Sequence, residues 1–177
     1  MTPSKKAVFL DRDGILNKVV FRNGTLGSPR TLKEFHLCEE VPHVLKRLRQ
    51  LGYRLFVVSN QPDVSRGLLN KGTLNDMTEI LKDNLPVERV LYCIHDDQDA
   101  CLCRKPKPGM LHDIADLEGI ELSSSYLIGD SWKDIAAGSN AGCKTVLLAR
   151  DYNNDVEADF RIQNMNEVVD IVLQDLQ

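Results

Sequence analysis

The chain has 177 residues, of which 22 are Lys or Arg and 26 are Asp or Glu, so its formal net charge is −4. This length fits one domain with a sizeable core, and a mildly acidic chain lacks the charge that attracts nucleic acid or an anionic membrane. Hydrophobic residues make up 42% and charged residues 27%, which excludes a disordered or fibrous chain. No apolar run approaches the roughly 18 residues that a membrane helix needs.

The N-terminal residues lead directly into a strand-like run, without the apolar region and cleavage site of a signal peptide. The five cysteines, an odd number, do not favour a disulfide framework. We therefore expect a cytoplasmic monomer, folded as one domain over residues 1–177, with neither nucleic acid nor a membrane as partner.

Strand-like and helix-like segments alternate along the chain. In order, the patterns predict a strand at 6–10, a hairpin-like flap with a loop at 17–37, a helix at 41–51, a strand at 54–58, a helix at 73–85 capped by Thr73, a strand at 89–93, a helix at 108–117, a strand at 126–128, a helix at 132–141, strands at 144–148 and 160–162, and a closing helix at 164–176. This alternation predicts an α/β fold, a Rossmann-like doubly wound, mostly parallel sheet with helices on both faces.

Polar side chains follow four of the predicted strands. In chain order they are Asp11-Arg12-Asp13-Gly14, Ser59-Asn60-Gln61, Arg104-Lys105, and Asp130 with Asp134. Each group alone is typical of a turn, a helix cap or a solvated surface. Together they offer carboxylates for a hard cation, and hydroxyl, amide and ammonium groups for phosphate oxygens. Since ligands bind beyond the carboxyl ends of such strands, the four groups predict one phosphate-handling site.

These four motifs, in this order, resemble those of the haloacid dehalogenase superfamily of phosphatases over about residues 6–148. The resemblance implies that Asp11 is the nucleophile and forms an aspartyl-phosphate. It also implies that Asp13 protonates the leaving alkoxide and then activates water. An Asp at position 13, rather than Ser or Thr, is typical of hydrolysis rather than of a phosphotransferase.

The resemblance assigns the remaining site residues as well. Ser59 and Lys105 complete the catalytic set, and Asn60 and Gln61 bind substrate. Magnesium is expected to be held by Asp11, the backbone carbonyl of Asp13, and Asp130. For Asp134, a contact that supports the metal site and a simple helix start both remain open.

Four metal-ligating side chains lie close together in the long loop at 96–108 and just before it. They are Cys93 and His95, then Cys101 and Cys103. Four such ligands suffice for a closed, tetrahedral structural zinc, which leaves no open position for catalysis. The alternative is four reduced, metal-free side chains in an irregular loop.

The cysteine cluster followed by Arg104-Lys105-Pro106 resembles the zinc-loop subgroup of the superfamily, which contains heptose 1,7-bisphosphate phosphatases and histidinol-phosphate phosphatase domains. The resemblance implies a zinc loop that positions Arg104 and Lys105, with Arg104 contacting substrate. It also implies a small flap and no large cap domain.

Two departures from the subgroup pattern concern substrate recognition. The region after Asp13 lacks an Asp-His-Gly-Tyr-like stretch, and Ser131 stands where a Lys or Arg is usual. Lys18, Arg22 and Lys133 are candidates for the missing positive charge, although each is also typical of a solvated surface.

The sequence therefore predicts magnesium-dependent hydrolysis of a phosphorylated sugar, D-glycero-D-manno-heptose 1,7-bisphosphate, with loss of the 7-phosphate. Histidinol phosphate is the alternative substrate within the same chemistry. A nucleic-acid 3′-end phosphatase is disfavoured by the acidic charge. Two non-enzymatic alternatives are a phosphate-sensing module, which would not need Asp13 as an acid, and a zinc-dependent interaction scaffold, which would not need the other motifs.

Overall fold

A computed structural model describes residues 5–175. The strands are β1 (Ala7–Leu10), β2 (Val20–Arg22), β3 (Thr25–Gly27), β4 (Arg54–Asn60), β5 (Arg89–Cys93), β6 (Tyr126–Gly129), β7 (Lys144–Leu148) and β8 (Phe160–Ile162). The helices are α1 (Val41–Gln50), α2 (Lys71–Asn84), α3 (Gly109–Glu118), α4 (Trp132–Ala141) and α5 (Glu167–Gln174). No helix in this range is long and apolar enough to cross a bilayer.

Six strands form one sheet in the order β5-β4-β1-β6-β7-β8, and every neighbouring pair is parallel. The chain starts at β1 in the middle of the sheet, winds outward through β4 and β5, and then returns to wind the other way from β6. The carboxyl ends of β4, β1 and β6 therefore lie side by side, where doubly wound sheets bind ligands. The predicted α/β fold is confirmed.

Both faces of the sheet are buried, which explains why its strands are continuous apolar runs. Side chains alternate between the faces along β1: Val8 and Leu10 pack with α1, α2 and α5, whereas Ala7 and Phe9 pack with α3 and α4. A rigid, doubly covered sheet holds the strand ends in fixed positions.

Several element boundaries differ from the predicted ones. Strand β4 continues to Asn60, so Ser59 and Asn60 belong to the strand. Helix α2 begins at Lys71 rather than Thr73, because the Asn70 side chain caps it by accepting a hydrogen bond from the Gly72 backbone. Helix α5 covers only part of the predicted 164–176, of which residue 176 lies outside the described range.

The predicted flap is a short antiparallel hairpin formed by β2 and β3, followed by a single turn of 3₁₀ helix at Leu32–Glu34. Phe21 at the hairpin is 70% exposed, and Leu26 is also exposed. The hairpin stands beside the carboxyl ends of the central strands and forms one wall of the cavity described below.

Candidate active site

A cavity of about 740 Å³ opens above the carboxyl ends of β1, β4 and β6. Its lining includes most of the predicted site residues: Asp11, Asp13, Ser59, Asn60, Arg104, Lys105 and Asp130. The hairpin supplies the opposite wall. The fold thus brings together residues that are up to 119 positions apart in the chain, as the parallel topology predicts.

Asp11 lies at the floor of this cavity, directly after β1. Its backbone N–H donates to the carbonyl of Ile128, which fixes the residue against β6. Oδ1 accepts a hydrogen bond from Lys105 Nζ at 2.8 Å, whereas Oδ2 accepts none from residues 5–175. Burial raises the pKa of Asp11 to about 8, with Lys105 opposing and the neighbouring carboxylates adding to the rise. One carboxylate oxygen is therefore available to a reacting atom.

Lys105 is only 2% exposed and directs its ammonium group into the carboxylates. Nζ lies 2.8 Å from Asp11 Oδ1, 2.6 Å from Asp134 Oδ1 and 2.8 Å from the carbonyl oxygen of Val58. Burial would lower the pKa of Lys105, but the two carboxylates raise it above its usual value. The lysine stays charged and offsets part of the negative charge at Asp11.

Asn60, which the sequence predicts to bind substrate, lines the cavity and is also bonded to the backbone of Lys105. Its Nδ2 donates to the carbonyl oxygen of Lys105 at 2.9 Å, and its Oδ1 accepts from the backbone N–H of Lys105 at 3.1 Å. Both ends of the amide are thus bonded to the Lys105 backbone. The side chain therefore secures the backbone of Lys105, and its contact with substrate stays a prediction.

Asp13 is surrounded by hydrogen-bond donors. It accepts from the guanidinium of Arg12 at 3.0 and 3.1 Å, from Asn17 Nδ2 at 2.9 Å and from Gln61 Nε2 at 2.7 Å. Burial would raise the pKa of Asp13, but Arg12 and these donors hold it below its usual value. This arrangement stabilises the ionised carboxylate.

The prediction that Gln61 binds substrate does not fit its position, since Gln61 is fully buried. Its Nε2 donates to Asp13 and, at 3.0 Å, to Ser59 Oγ, while its Oε1 accepts from Arg12. Because both polar atoms of the amide are hydrogen-bonded within the protein, Gln61 holds the side chains of Asp13 and Ser59 in place. The hydroxyl proton of Ser59 remains available to the cavity.

Three carboxylates meet beside Lys105. Each of Asp11, Asp130 and Asp134 offers one oxygen, and these oxygens lie within 4.8 Å of one another. Three buried carboxyl groups therefore meet beside one ammonium, and a hard divalent cation with oxygen ligands bound there would favour their ionised forms. Burial, with a contribution from Asp134, raises the pKa of Asp130 to about 6, while a hydrogen bond from Tyr152 opposes the rise.

Asp134 has its own partners at the start of α4. One oxygen contacts Lys105, and the other accepts from the backbone N–H of Ser131 at 3.1 Å and from Ser131 Oγ at 2.6 Å. Asp134 therefore caps the helix and also contacts Lys105, and a role in supporting a metal site stays a prediction.

Gly14 makes the close approach of Asp130 possible. A Cβ at this position would lie 2.0 Å from Asp130 Oδ2, and the Gly14 φ of +85° is one that other residues rarely adopt. The sequence motif that ends in Gly14 thus leaves room for the carboxylate that comes from β6.

Two residues that sequence reasoning missed also hold Asp130. The hydroxyl of Tyr152 donates to Asp130 Oδ2, and Asn153 Nδ2 donates to the Asp130 carbonyl at 2.7 Å. Both residues follow β7. The rule that polar groups after strands belong to the site could have found them, had it been applied to the fifth sequence strand.

The four predicted zinc ligands form a second cluster. Their ligand atoms are 3.4 to 3.6 Å apart in each of four contacts, which join Cys93, His95, Cys101 and Cys103 in a ring. Zinc–sulfur bonds of about 2.3 Å place the corners of a tetrahedron about 3.8 Å apart. Three thiols and an imidazole at this spacing fit a zinc ion.

The second cluster is joined to the cavity by Arg104. Its Nη1 donates to the carbonyl oxygen of His95 at 3.2 Å, and its Nε donates to Asp97 Oδ1 at 2.7 Å. Lys107 Nζ adds a bond to the carbonyl of Cys101 at 2.6 Å. The loop that carries the four ligands therefore fixes the backbone from which Arg104 and Lys105 reach the cavity.

The three further cations considered from the sequence differ in position. Lys133 lines the cavity and forms no ion pair within residues 5–175. Arg22 instead pairs with Glu34 at 2.8 Å, and neither Arg22 nor the exposed Lys18 lines the cavity. Of the three, Lys133 is the one placed to meet a ligand there.

Comparisons with known proteins agree with this geometry. The HAD-hydrolase-like family model matches residues 102–176. The D-glycero-beta-D-manno-heptose-1,7-bisphosphate 7-phosphatase of Helicobacter pylori is 31% identical over 96% of this chain and 98% of its own length. The D-glycero-alpha-D-manno-heptose-1,7-bisphosphate 7-phosphatase of Campylobacter jejuni is 27% identical over 93% of this chain and 94% of its own length.

A solved structure is also similar. The D,D-heptose 1,7-bisphosphate phosphatase of B. bronchiseptica, complexed with magnesium and phosphate, matches with a TM-score of 0.82 and 27% identity. The match covers 96% of this chain and 99% of that one.

Proposed function

The chain belongs to the haloacid dehalogenase-like phosphatases, and we propose that it is a magnesium-dependent enzyme that removes the 7-phosphate of D-glycero-D-manno-heptose 1,7-bisphosphate. The observation that carries the proposal is Asp11, held by Lys105 through one oxygen and open to the cavity through the other. The names of the relatives supply the substrate.

In the first step, Oδ2 of Asp11 attacks phosphorus and the bond to the sugar oxygen breaks. Asp13 carries the proton that it took from water at the end of the preceding turnover, and it gives this proton to the departing alkoxide, which leaves as the hydroxyl of the sugar. The hydroxyl of Ser59 and the ammonium of Lys105 stabilise the charge that develops on the phosphoryl oxygens. The product of this step is an aspartyl-phosphate at Asp11.

In the second step, Asp13 takes a proton from water and the oxygen of that water attacks phosphorus. The bond between phosphorus and Asp11 breaks, and inorganic phosphate leaves. The donors around Asp13 favour its ionised form, which suits it to accept this proton. The same residue thus serves as acid and then as base.

Two of the proposed cation ligands belong to the carboxylate cluster, and the third is the one that the family resemblance implies. Asp11, Asp130 and the backbone carbonyl of Asp13 are the groups that we propose hold magnesium. When bound there, the ion supplies positive charge that offsets the repulsion between a carboxylate nucleophile and the phosphoryl oxygens. Zinc has a different task in the sulfur cluster, where four protein ligands leave no position for substrate.

Lys133 is the residue that we assign to the second phosphate of a bisphosphate substrate. Lys105 and Arg104 already contact acids or carbonyl groups, whereas Lys133 lines the cavity without an acidic partner in the described part of the chain. A second phosphate at the far end of an extended sugar would give Lys133 an anionic partner.

Hydrolysis rates across a set of phosphate esters test the proposed substrate. The set contains both anomers of heptose 1,7-bisphosphate, histidinol phosphate, an oligonucleotide with a 3′-phosphate, and 4-nitrophenyl phosphate. We expect a heptose bisphosphate to give the highest kcat/KM, by at least about tenfold, since among the small esters of the set only the bisphosphates carry a second phosphate for a second anion site. Preference for histidinol phosphate or for the oligonucleotide would contradict the proposal.

A further inference from the structure

The segment after β7 donates hydrogen bonds to both the side chain and the backbone of Asp130. Asn153 donates to the Asp130 backbone carbonyl at 2.7 Å and Tyr152 donates to its carboxylate. Arg150, in the same segment, donates through Nη2 to the carbonyl oxygen of Gly14 at 3.1 Å. One short stretch of chain therefore connects the two residues that meet at the carboxylate cluster.

The turn that carries Tyr152 is itself firmly held. Asn153 is 1% exposed, and its Nδ2 also donates to the carbonyl of Leu148 at 2.9 Å. Its Oδ1 accepts from the Arg150 backbone at 2.9 Å and from Arg161 Nη2 at 3.0 Å. These bonds fix the backbone of the turn, and the hydrogen bond to Asp130 holds the Tyr152 side chain, which is about half exposed.

We infer that Tyr152 is a positioning residue for the divalent cation, because its hydroxyl fixes one oxygen of Asp130 and leaves the other to the metal. The inference rests on the magnesium site of the proposed function. Tyr152 Oη donates to Oδ2, the oxygen that packs against Gly14, whereas Oδ1 accepts no hydrogen bond from residues 5–175.

A hydrogen bond to one oxygen of a metal-binding carboxylate restricts the rotation of that carboxylate. A carboxylate that rotates freely must lose that freedom when it binds a metal, and a hydrogen bond to its other oxygen removes the freedom in advance. Loss of this kind of partner typically weakens metal binding by about 10–100-fold. The hydroxyl of Tyr152 should therefore affect magnesium affinity more than turnover at saturating magnesium.

A different role for Tyr152 is contact with substrate, since the residue also lines the cavity. The two roles differ in what they change. A substrate contact would alter KM at every magnesium concentration, whereas a positioning role disappears from the kinetics once magnesium is saturating. Direct measurement of metal binding without substrate separates them further.

The test compares Tyr152→Phe with Tyr126→Phe in the intact chain. Both changes remove only a hydroxyl, and the hydroxyl of Tyr126, on the strand that leads to Asp130, is buried without a partner in the described residues. Magnesium binding is followed by calorimetry and by the fluorescence of Trp132, the single tryptophan, which lies two residues from Asp130.

We expect Tyr152→Phe to raise the Kd for Mg²⁺ by about tenfold or more, with kcat restored by excess magnesium, and Tyr126→Phe to leave Kd unchanged. An unchanged or lowered Kd in Tyr152→Phe would overturn the inference while leaving the proposed function intact. If the unaltered protein bound no magnesium and needed none for hydrolysis, the magnesium site of the proposed function itself would fail.

Discussion

The two ligand clusters on either side of Arg104 and Lys105 are built in opposite ways. The oxygen cluster collects Asp11, Asp130 and Asp134 from two strand ends and a helix start, over 120 positions of chain, on a rigid sheet. The sulfur cluster collects its four ligands from the stretch between Cys93 and Cys103. Hard ligands over a cavity suit chemistry on phosphate, and soft ligands in a loop suit a fixed zinc.

The difference is consistent with two separate tasks, catalysis at the oxygen cluster and stabilisation of a loop at the sulfur cluster. The oxygen cluster needs no loop metal to form, because the sheet already fixes its members. The loop, in contrast, has no buried apolar side chain between positions 96 and 103. It is held by polar contacts, such as those from Lys107 to Cys101 and from Arg66 to Asp96. We therefore expect substitutions in the oxygen cluster to abolish a catalytic step. Substitutions in the sulfur cluster should instead displace the side chains of Arg104 and Lys105.

The largest expected effect comes from Asp11→Asn. The amide keeps the size of the side chain but is a poor nucleophile and a weaker ligand for magnesium, so activity should fall by more than about 10⁴-fold. Circular dichroism and the thermal midpoint should stay close to those of the unaltered protein. Appreciable turnover in a variant that mass spectrometry shows to be free of deamidation would remove Asp11 from the nucleophile role.

Asp13→Asn should cost about 10²–10⁴-fold with a sugar phosphate, since it removes the general acid and base. For 4-nitrophenyl phosphate, whose leaving group needs little protonation, the loss in kcat/KM should be much smaller. The loss in kcat should persist, because the water step still lacks its base. An equal loss in kcat/KM for both substrates would argue that Asp13 serves some other purpose.

Removal of zinc tests the second cluster. We expect one zinc per chain in protein purified without added metal, and loss of that zinc in Cys101→Ser but not in Cys38→Ser, which lies outside the cluster. Activity should then fall by about 10²-fold, because Arg104 and Lys105 lose their positions. Magnesium should not restore it, since Mg²⁺ prefers oxygen to thiolate ligands. Full activity at near-zero zinc content would contradict the structural role proposed for zinc in the sulfur cluster.

The smallest expected effect concerns the rim of the cavity. Lys133→Met should raise KM for heptose bisphosphate by about tenfold through loss of one charge-assisted contact, and leave 4-nitrophenyl phosphate unaffected. Lys133→Arg retains the charge and serves as the matched control. Equal changes for both esters would show that Lys133 does not recognise the second phosphate.

The sequence predicts which motifs lie together because they stand at strand ends, and parallel topology brings those ends side by side. Asp11, Lys105 and Asp130 lie where that reasoning places them. The side-chain directions of Asn60 and Gln61 could not be predicted in this way. Both look like phosphate ligands in a linear motif, yet their amides turn away to the Lys105 backbone and to Asp13.

The role of Tyr152 was also beyond a linear pattern. Its place after β7 is the one signal that the sequence offers for Tyr152, and that signal does not indicate the contact with Asp130, which spans 22 positions. The contact depends on the fixed turn around Asn153, which becomes visible only when the long-range hydrogen bonds are known. Short motifs thus identify the residues that we propose react, whereas the residues that contact and orient them are found only in the folded chain.

The most direct test of two-step chemistry at Asp11 is the first turnover of Asp13→Asn with 4-nitrophenyl phosphate. The leaving group departs without an acid, but the aspartyl-phosphate should persist because no base activates water. We predict a burst of one nitrophenol per chain, and phosphate that borohydride reduction and peptide mass spectrometry map to Asp11. Steady release without a burst, together with no phosphate on Asp11 during turnover, would contradict the account.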